Sequence, residues 1–210
     1  YPVENNGKLN FALLAAASLA FMLQKQRDAV GLVAFTDKIV YQSALKSTTS
    51  HLRELFTYFN ELLKQKSTLA NTTLPEVLDQ VSDNTHKRSL IIVFSDFLES
   101  ADKKEALFNS LKHLKHNKHE ILLFHIADKK AELDFEFEDR PYLFTDVETG
   151  EKIKLNPSQM REEYIKSQNS YLIELKIKCG QYKIDLVEAD INKNFNQILL
   201  PFLAKRRRMV

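Results

Sequence analysis

An acidic residue stands where a long apolar run ends. The run SLIIVF occupies residues 89–94, and Ser95 and Asp96 follow it directly. A run without polar alternation is typical of a strand that is covered on both faces in a parallel sheet. In open α/β sheets, ligands bind beyond the carboxyl ends of the strands. Asp96 is therefore either a cap for the following loop or the beginning of a site.

Two other groups of side chains could do chemistry. The segment HLKHNKHE places His113, His116 and His119 at intervals of three. A continuous helix would bring them together as a zinc site requires, but Asn117 is expected to end the helix, which favours a solvated helix end. The tail KRRRMV resembles a nucleic-acid or phosphate patch, although cations at the end of a helix also complement its dipole.

The composition indicates a globular chain without a strong charge preference. The 210 residues are 44% hydrophobic and carry a net charge of +2, which predicts one domain and implies no polyanionic partner. The single cysteine, Cys179, excludes an intramolecular disulfide, and we expect a small buried residue near the end of a helix. The four glycines stand in separate segments, which argues against a glycine-rich phosphate loop.

The longest apolar stretch, residues 9–24, falls short of the ~20 residues that span a bilayer, and it predicts a core helix. The chain does not begin with Met, which indicates a fragment. We expect a cytoplasmic location, because one lone cysteine fits a reducing compartment.

Helix and strand patterns alternate along the chain, and they predict the elements that would position Asp96. Strands are predicted at 29–36, 38–45, 89–94, 120–127 and 183–189. Helices are predicted at 8–26, 50–64, from 73 onward, 102–116, 157–179 and 194–206. This alternation predicts a doubly wound, mostly parallel α/β sheet with helices on both faces. A β-hairpin is predicted at 143–155, a helix N-cap at Asn156 and a helix end at Gly180.

Several segments, in this order, resemble a known family. They are GKLNFALLAAASLAFMLQKQRDAVGLVAFTDKI, the turn Thr72-Thr73-Leu74, LIIVFSDFLES, HEILLFHIAD and FTDVETGEKIKLNPSQMREEY. Together they resemble the von Willebrand factor A-like proteins called domain of unknown function 58. The resemblance covers nearly the whole chain, and SDFLE and the DVETGE hairpin are its most specific parts.

The resemblance implies a von Willebrand A-like fold with a metal-ion-dependent adhesion site. In the family, this site combines an Asp-x-Ser-x-Ser loop after the first strand with a later Thr and a strand-end Asp. Thr72 matches that Thr and Asp96 matches that Asp, so both are expected metal ligands for Mg²⁺ or Mn²⁺ in the intact parent protein. The family's first strand and its loop would precede Tyr1, so we expect an incomplete site and no bound metal in this chain. Thr73 is the expected helix cap, because it has capping-box spacing to Glu76.

The resemblance also implies a function. It predicts a non-enzymatic adaptor domain that partners a MoxR-type AAA+ ATPase in the assembly of complexes. The alternative is a metal-dependent hydrolase or phosphoryl-transfer domain that uses Asp96. That alternative requires a second carboxylate and a Lys or Arg near Asp96. Nucleic-acid binding by the tail is a third, weaker interpretation.

The missing first strand would leave a gap in the sheet. The strands that begin near Ala29 and Ser89 would then carry unpaired backbone groups, each costing about 1–3 kcal/mol if buried. Three solutions are open: the two strands pair with each other, another chain inserts a strand, or a strand of the molecule is missing from this sequence.

Overall fold

Six helices, seven strands and one π-helical turn make up the described part of the chain. The computed structural model describes residues 7–36, 38–64, 74–98, 103–145 and 152–209. The helices are α1 (Gly7–Lys25), α2 (Thr49–Lys64), α3 (Leu74–Asn84), α4 (Lys104–His116), α5 (Pro157–Gln181) and α6 (Asn196–Met209). The strands are β1 (Val33–Phe35), β2 (Ile39–Gln42), β3 (Leu90–Ser95), β4 (Glu120–Ala127), β5 (Tyr142–Thr145), β6 (Lys152–Leu155) and β7 (Asp185–Asp190). A single turn of π-helix, here called the π turn, spans Lys129–Leu133.

Three parallel strands form the central sheet, in the order β3-β4-β7. β4 is the middle strand, and each of its residues after Glu120 is buried. Side chains that are in register on neighbouring parallel strands share one face of the sheet, and Ser95, His125 and Glu188 form such a row at the carboxyl end. The predicted parallel α/β sheet is confirmed over these three strands.

Helices cover both faces of this sheet. On one face, Leu122 and Phe124 pack in a cluster with residues of α1 and α6. On the other face, Ile121 and Leu123 pack with residues of α3, α4 and α5. Burying one such side chain fully stabilises the fold by about 1.5–3 kcal/mol. Because alternate side chains of β4 point to opposite faces, this one strand stabilises the packing of both helical layers.

The strand predicted at 29–36 is shorter than expected and belongs to another sheet. Only Val33–Phe35 is strand, and Val30 makes an isolated bridge to Lys46. β1 pairs with β2 as an antiparallel hairpin, and neither strand is hydrogen-bonded to β3. Direct pairing of the two strands across the gap is therefore wrong. Insertion of a strand from elsewhere stays a prediction.

The outer edge of β3 has no strand partner among the residues the structure describes. The carbonyl of Ser89 accepts a hydrogen bond from the Glu120 N–H at 3.0 Å, which fixes the edge that faces β4. Successive residues of a strand direct their backbone groups to opposite edges. Leu90, Ile92 and Phe94 therefore direct their N–H groups to the open edge.

This edge predicts an alternating pattern of hydrogen exchange along β3. The amides of Leu90, Ile92 and Phe94 should exchange faster than those of Ile91 and Val93, because only the latter donate to β4. Amide exchange followed by NMR on the 210-residue chain measures this directly. Equal protection of all five amides would mean that another strand occupies the edge.

Helix α1 packs as a core helix. By length and composition, it is the one helix in the described part of the chain that could also cross a membrane, although a third of its most apolar window is buried inside the protein. Phe11, Ala15 and Leu19 pack on the sheet, and Leu13 packs against α2. These contacts agree with the predicted core helix on one face, whereas Leu9, Leu14 and Phe21 on the same helix are exposed.

The long helix α5 corrects two sequence predictions. It continues through Gly180 to Gln181, and Lys183 rather than a glycine adopts the left-handed conformation after it, with φ 55°. Asn156 stands at the N-cap position as predicted, but its side chain makes no capping hydrogen bond. Pro157, the first residue of the helix, has no N–H and so removes one of the unpaired donors of the first turn.

The only cysteine lies near the end of α5 and is buried in the core. Cys179 is 1% exposed and packs with the α3, α4 and α5 side chains beneath the sheet, which confirms the predicted buried residue. Burial raises the pKa of its thiol to about 12. The group is therefore a neutral thiol across the physiological pH range.

A buried lysine joins the amino ends of β4 and β7. The side chain of Lys205 is 8% exposed, and its Nζ lies 2.5 Å from Glu120 and 2.9 Å from Asp185. Burial alone would lower the pKa of Lys205, but the hydrogen bonds and charges of the two carboxylates outweigh burial and raise it. The hydrogen bond from Lys205 lowers the pKa of Glu120.

The three histidines of the HLKHNKHE segment lie apart from one another. Nδ1 of His113 lies 2.9 Å from Asp79 on α3, His116 is exposed, and His119 is fully buried before β4. Both ring nitrogens of His119 are shielded from solvent. These positions do not assemble a zinc site.

His119 should make folding sensitive to mild acid. Burial lowers its pKa from the usual 6.5, so its contribution to stability is complete above that value and is lost as the pH falls through the folded-state pKa. Nearby His113 and Lys115 add unfavourable charge in the same direction. His119→Leu should therefore flatten the decline in the free energy of unfolding below about pH 6.5, measured by denaturant titration at several pH values. The exposed-site control His116→Leu should leave the decline as in the wild type, and an identical decline in His119→Leu would contradict this reasoning.

Candidate functional site

Asp96 lies directly beyond the carboxyl end of β3, where the sequence predicts it. Its side chain is 37% exposed. Oδ1 accepts a hydrogen bond from the N–H of Leu98 at 3.4 Å, and Oγ of Ser95 accepts one from the N–H of Phe97 at 3.0 Å. The carboxylate stabilises its own loop, as the first interpretation predicts, and it is partly exposed. A site at Asp96 stays a prediction.

Phe97 anchors this loop to the core. It is 1% exposed and packs with α3, α4 and α5 side chains. Its backbone is in the left-handed region at φ 51°, which is uncommon for a bulky residue. The hydroxyl of Tyr171 on α5 donates to the carbonyl of Phe97 at 2.6 Å. Burial and this hydrogen bond offset the unfavourable backbone conformation and hold Asp96 at the sheet edge.

Two further charged residues converge on Asp96. Nζ of Lys8 lies 2.8 Å from Oδ2 of Asp96 and 2.8 Å from Oε1 of Glu132. The side chains of Lys8 and Glu132 are 24% and 26% exposed. Burial alone would lower the pKa of Lys8, but the charges and hydrogen bonds of both carboxylates outweigh burial and raise it. We call Asp96, Leu98, Lys8 and Glu132 the Asp96 rim.

The elements that carry these residues explain why they meet. Lys8 is the second residue of α1, and Gly7 before it has φ 68°, a conformation that glycine adopts without strain. Glu132 lies in the π turn after β4, where its Oε2 accepts from the N–H of Asp128 at 3.3 Å. Asp128 in turn accepts from the N–H of Ala131 at 3.4 Å. This reciprocal bonding leaves Oε1 of Glu132 directed to Lys8.

Sequence reasoning missed both Lys8 and Glu132. The acid pair Asp128 and Glu132 directly after the buried strand EILLFHIA was a usable signal, because the carboxyl ends of neighbouring parallel strands meet at one edge. Lys8 offered no such signal. Its contact with Asp96 joins residues 88 positions apart and depends on how α1 crosses the sheet.

A buried histidine lies behind the rim. His125 is 4% exposed, and its Nδ1 has no hydrogen-bond partner in the described residues. Burial lowers the pKa of His125, which keeps the ring neutral. Ser95 and Glu188 flank it in the same row of the sheet, and Phe97 lies against it with ring centroids 6.3 Å apart. Within the described ranges, no hydrogen bond joins Ser95 to His125, and Oγ of Ser95 instead accepts from the N–H of Phe97.

The described residues do not by themselves fit a divalent metal ion. Lys8 already occupies Oδ2 of Asp96, and the Leu98 N–H occupies Oδ1. Across the described parts of the chain, no group of three or more His, Cys, Asp or Glu side chains could hold a metal ion. Thr72 and Thr73 lie outside the described residues. The metal role of Asp96 and Thr72 stays a prediction for the intact parent protein.

Fold and site together define a mixed α/β protein with a charged cluster at the carboxyl end of a parallel three-stranded sheet. The chain belongs to the family described as "Protein of unknown function DUF58", whose sequence model matches residues 1–171. The structure is similar to the crystal structure of the conserved hypothetical protein BatB from Bacteroides thetaiotaomicron. The two chains are 13% identical with a TM-score of 0.56, over 96% of this chain and 87% of that one. At that identity the likeness concerns the fold alone, and no curated protein matches the sequence.

Proposed function

We propose that the chain is a non-enzymatic interaction domain of the von Willebrand factor A-like type, which presents the Asp96 rim to a protein partner. The observation that carries the proposal is the rim itself. Leu98 is 52% exposed beside the partly exposed carboxylate of Asp96, and Phe97 between them is fixed in the core. An exposed apolar side chain can contribute buried apolar area to an interface, and a charged neighbour can contribute specificity.

The partner we propose is a MoxR-type AAA+ ATPase in the cytoplasm, with the domain acting as adaptor in complex assembly. This partner comes from the family resemblance, and the rim supplies only the surface. In the intact parent protein, Mg²⁺ or Mn²⁺ would complete a metal-ion-dependent adhesion site with Asp96 and Thr72, and this would require Lys8 to leave Asp96.

Binding of a purified MoxR-type ATPase to the full chain tests the adaptor role. Leu98→Asp should weaken binding roughly tenfold or more, because loss of a central apolar anchor costs about 1–2 kcal/mol. Leu143→Asp is the matched control, since Leu143 is 61% exposed on the β5-β6 hairpin and outside the rim. Unchanged binding in Leu98→Asp, or no binding of the wild type, would contradict the proposal.

One observation favours the alternative, a hydrolase or phosphoryl-transfer domain. Such chemistry requires a second carboxylate and a cation near Asp96. Glu132 and Lys8 supply both at 2.8 Å from each other. Turnover of a generic phosphate ester that Asp96→Asn abolishes would support this alternative over the adaptor. Absence of turnover by the wild type with Mg²⁺ or Mn²⁺ would count against it.

A further inference from the structure

We infer that the ammonium group of Lys8 takes the cation position at the end of β3, and that it excludes a divalent metal ion from Asp96 while it stays there. The inference concerns which cation the Asp96 rim carries. It goes beyond the adaptor role and holds whichever partner the rim binds.

Lys8 bridges two carboxylates at the end of β3. Nζ of Lys8 lies 2.8 Å from an oxygen of Asp96 and 2.8 Å from an oxygen of Glu132, so it bridges the end of β3 and the π turn. A metal ion would bind the same carboxylate oxygens at about 2.0–2.6 Å, depending on whether it is Mg²⁺ or Ca²⁺. Lysine and metal therefore compete for one position.

Helix α1 carries Lys8 in its first turn. The amino end of a helix has a partial positive charge, so a lysine in the first turn of α1 is electrostatically unfavourable on its own. Asp96 and Glu132 supply the negative charge that offsets it. The position of the ammonium is thus set by the two carboxylates, and not by the helix.

Displacing Lys8 is unfavourable. A metal at Asp96 would break the ion pair between Asp96 and Lys8, whose side chain is only 24% exposed, or would bring two positive charges together. The other oxygen of Asp96 already accepts from Leu98. A divalent ion would therefore gain only the carboxylate of Asp96, whose two oxygens already accept hydrogen bonds. It would also be repelled by the ammonium group of Lys8.

Titration of Mn²⁺ and Mg²⁺ into the full chain, followed by calorimetry, tests the inference. The wild type should show no binding up to about 10 mM, above the range of weak oxygen-ligand sites. Lys8→Met removes the charge and keeps an apolar stem, and it should bind at least about tenfold more tightly than the wild type. The matched control Lys8→Arg keeps the cation and should behave as the wild type.

Two further measurements make the result decisive. The gain in Lys8→Met should vanish in Lys8→Met/Asp96→Asn, since the metal would depend on that carboxylate. In NMR spectra of the wild type, Mn²⁺ should not selectively broaden the amides of Asp96, Phe97 and Leu98. That test remains valid if Lys8→Met fails to fold.

Either of two results would overturn the inference. One is metal binding at Asp96 by the wild type, seen as selective broadening of those amides or as calorimetric binding as tight as that of Lys8→Met. The other is a folded Lys8→Met that binds metal no better than the wild type. Neither result depends on the ATPase experiment, so failure of the adaptor proposal is distinguishable from failure of this one.

Discussion

Phe97→Ala should lower the free energy of unfolding by about 3–5 kcal/mol, the cost of removing a large buried aromatic side chain. Phe97 is 1% exposed, and its ring packs among α3, α4 and α5 side chains. The substitution leaves a cavity there, and it also leaves an alanine in the left-handed backbone conformation at φ 51° without the packing that offsets it. Chemical denaturation of the full chain measures the loss.

Two variants separate packing from hydrogen bonding in this loop. Tyr171→Phe removes the hydroxyl that donates to the Phe97 carbonyl and should cost about 1 kcal/mol. Leu98→Ala changes the exposed neighbour and should stay within about 0.5 kcal/mol of the wild type. If Phe97→Ala costs no more than Leu98→Ala, the loop is not anchored through Phe97.

Lys205→Met should cost about 2 kcal/mol near neutral pH. The variant keeps the apolar stem but leaves Glu120 and Asp185 without their buried partner. Breaking a fully buried pair costs about 3–5 kcal/mol, and we discount this figure because both carboxylates are at least a third exposed and screened by solvent. Denaturant titration measures the difference. Lys176→Met, at the more exposed Lys176–Glu188 pair, is the matched control and should cost about 0.2–1 kcal/mol.

The pH dependence of the Lys205→Met effect has a definite sign. The pKa of Glu120 is lowered from 4.5, so the stability it gains from Lys205 is present above that value and is lost as the pH falls through the folded-state pKa. The pKa of Lys205 is raised from 10.5, so its contribution is present below that value and is lost as the pH rises through the folded-state pKa. The difference between wild type and variant should be largest between these limits. A difference that does not shrink at either extreme would contradict the ion-pair explanation.

The local periodicity of apolar residues predicted most of the secondary structure. β4 was predicted at 120–127 and has those bounds, since a mostly apolar eight-residue run between polar segments favours a buried central strand. The amphipathic stripe of α2 located that helix to within one residue. Gly180 misled the prediction of where α5 ends, because a helical glycine costs only about 1 kcal/mol and tertiary packing of Leu175 and Cys179 outweighs it.

Long-range arrangement was harder to predict. The separation of β1 from β3 is a matter of which backbone edges pair, and side-chain patterns do not specify that. Asp96 was found because one strand and one acid are adjacent in the sequence. Lys8 and Glu132 were not predicted, because α1, β3 and the π turn must pack together before the charged side chains of these residues meet.

The buried Cys179 gives the protein a built-in reporter of its own unfolding. Alkylating reagents attack the thiolate, and a pKa of about 12 leaves almost none of it in the folded state. Modification by iodoacetamide must therefore wait until α5 detaches from the sheet. Since the sequence holds no second cysteine, all labelling occurs at Cys179, and its rate measures how often α5 opens.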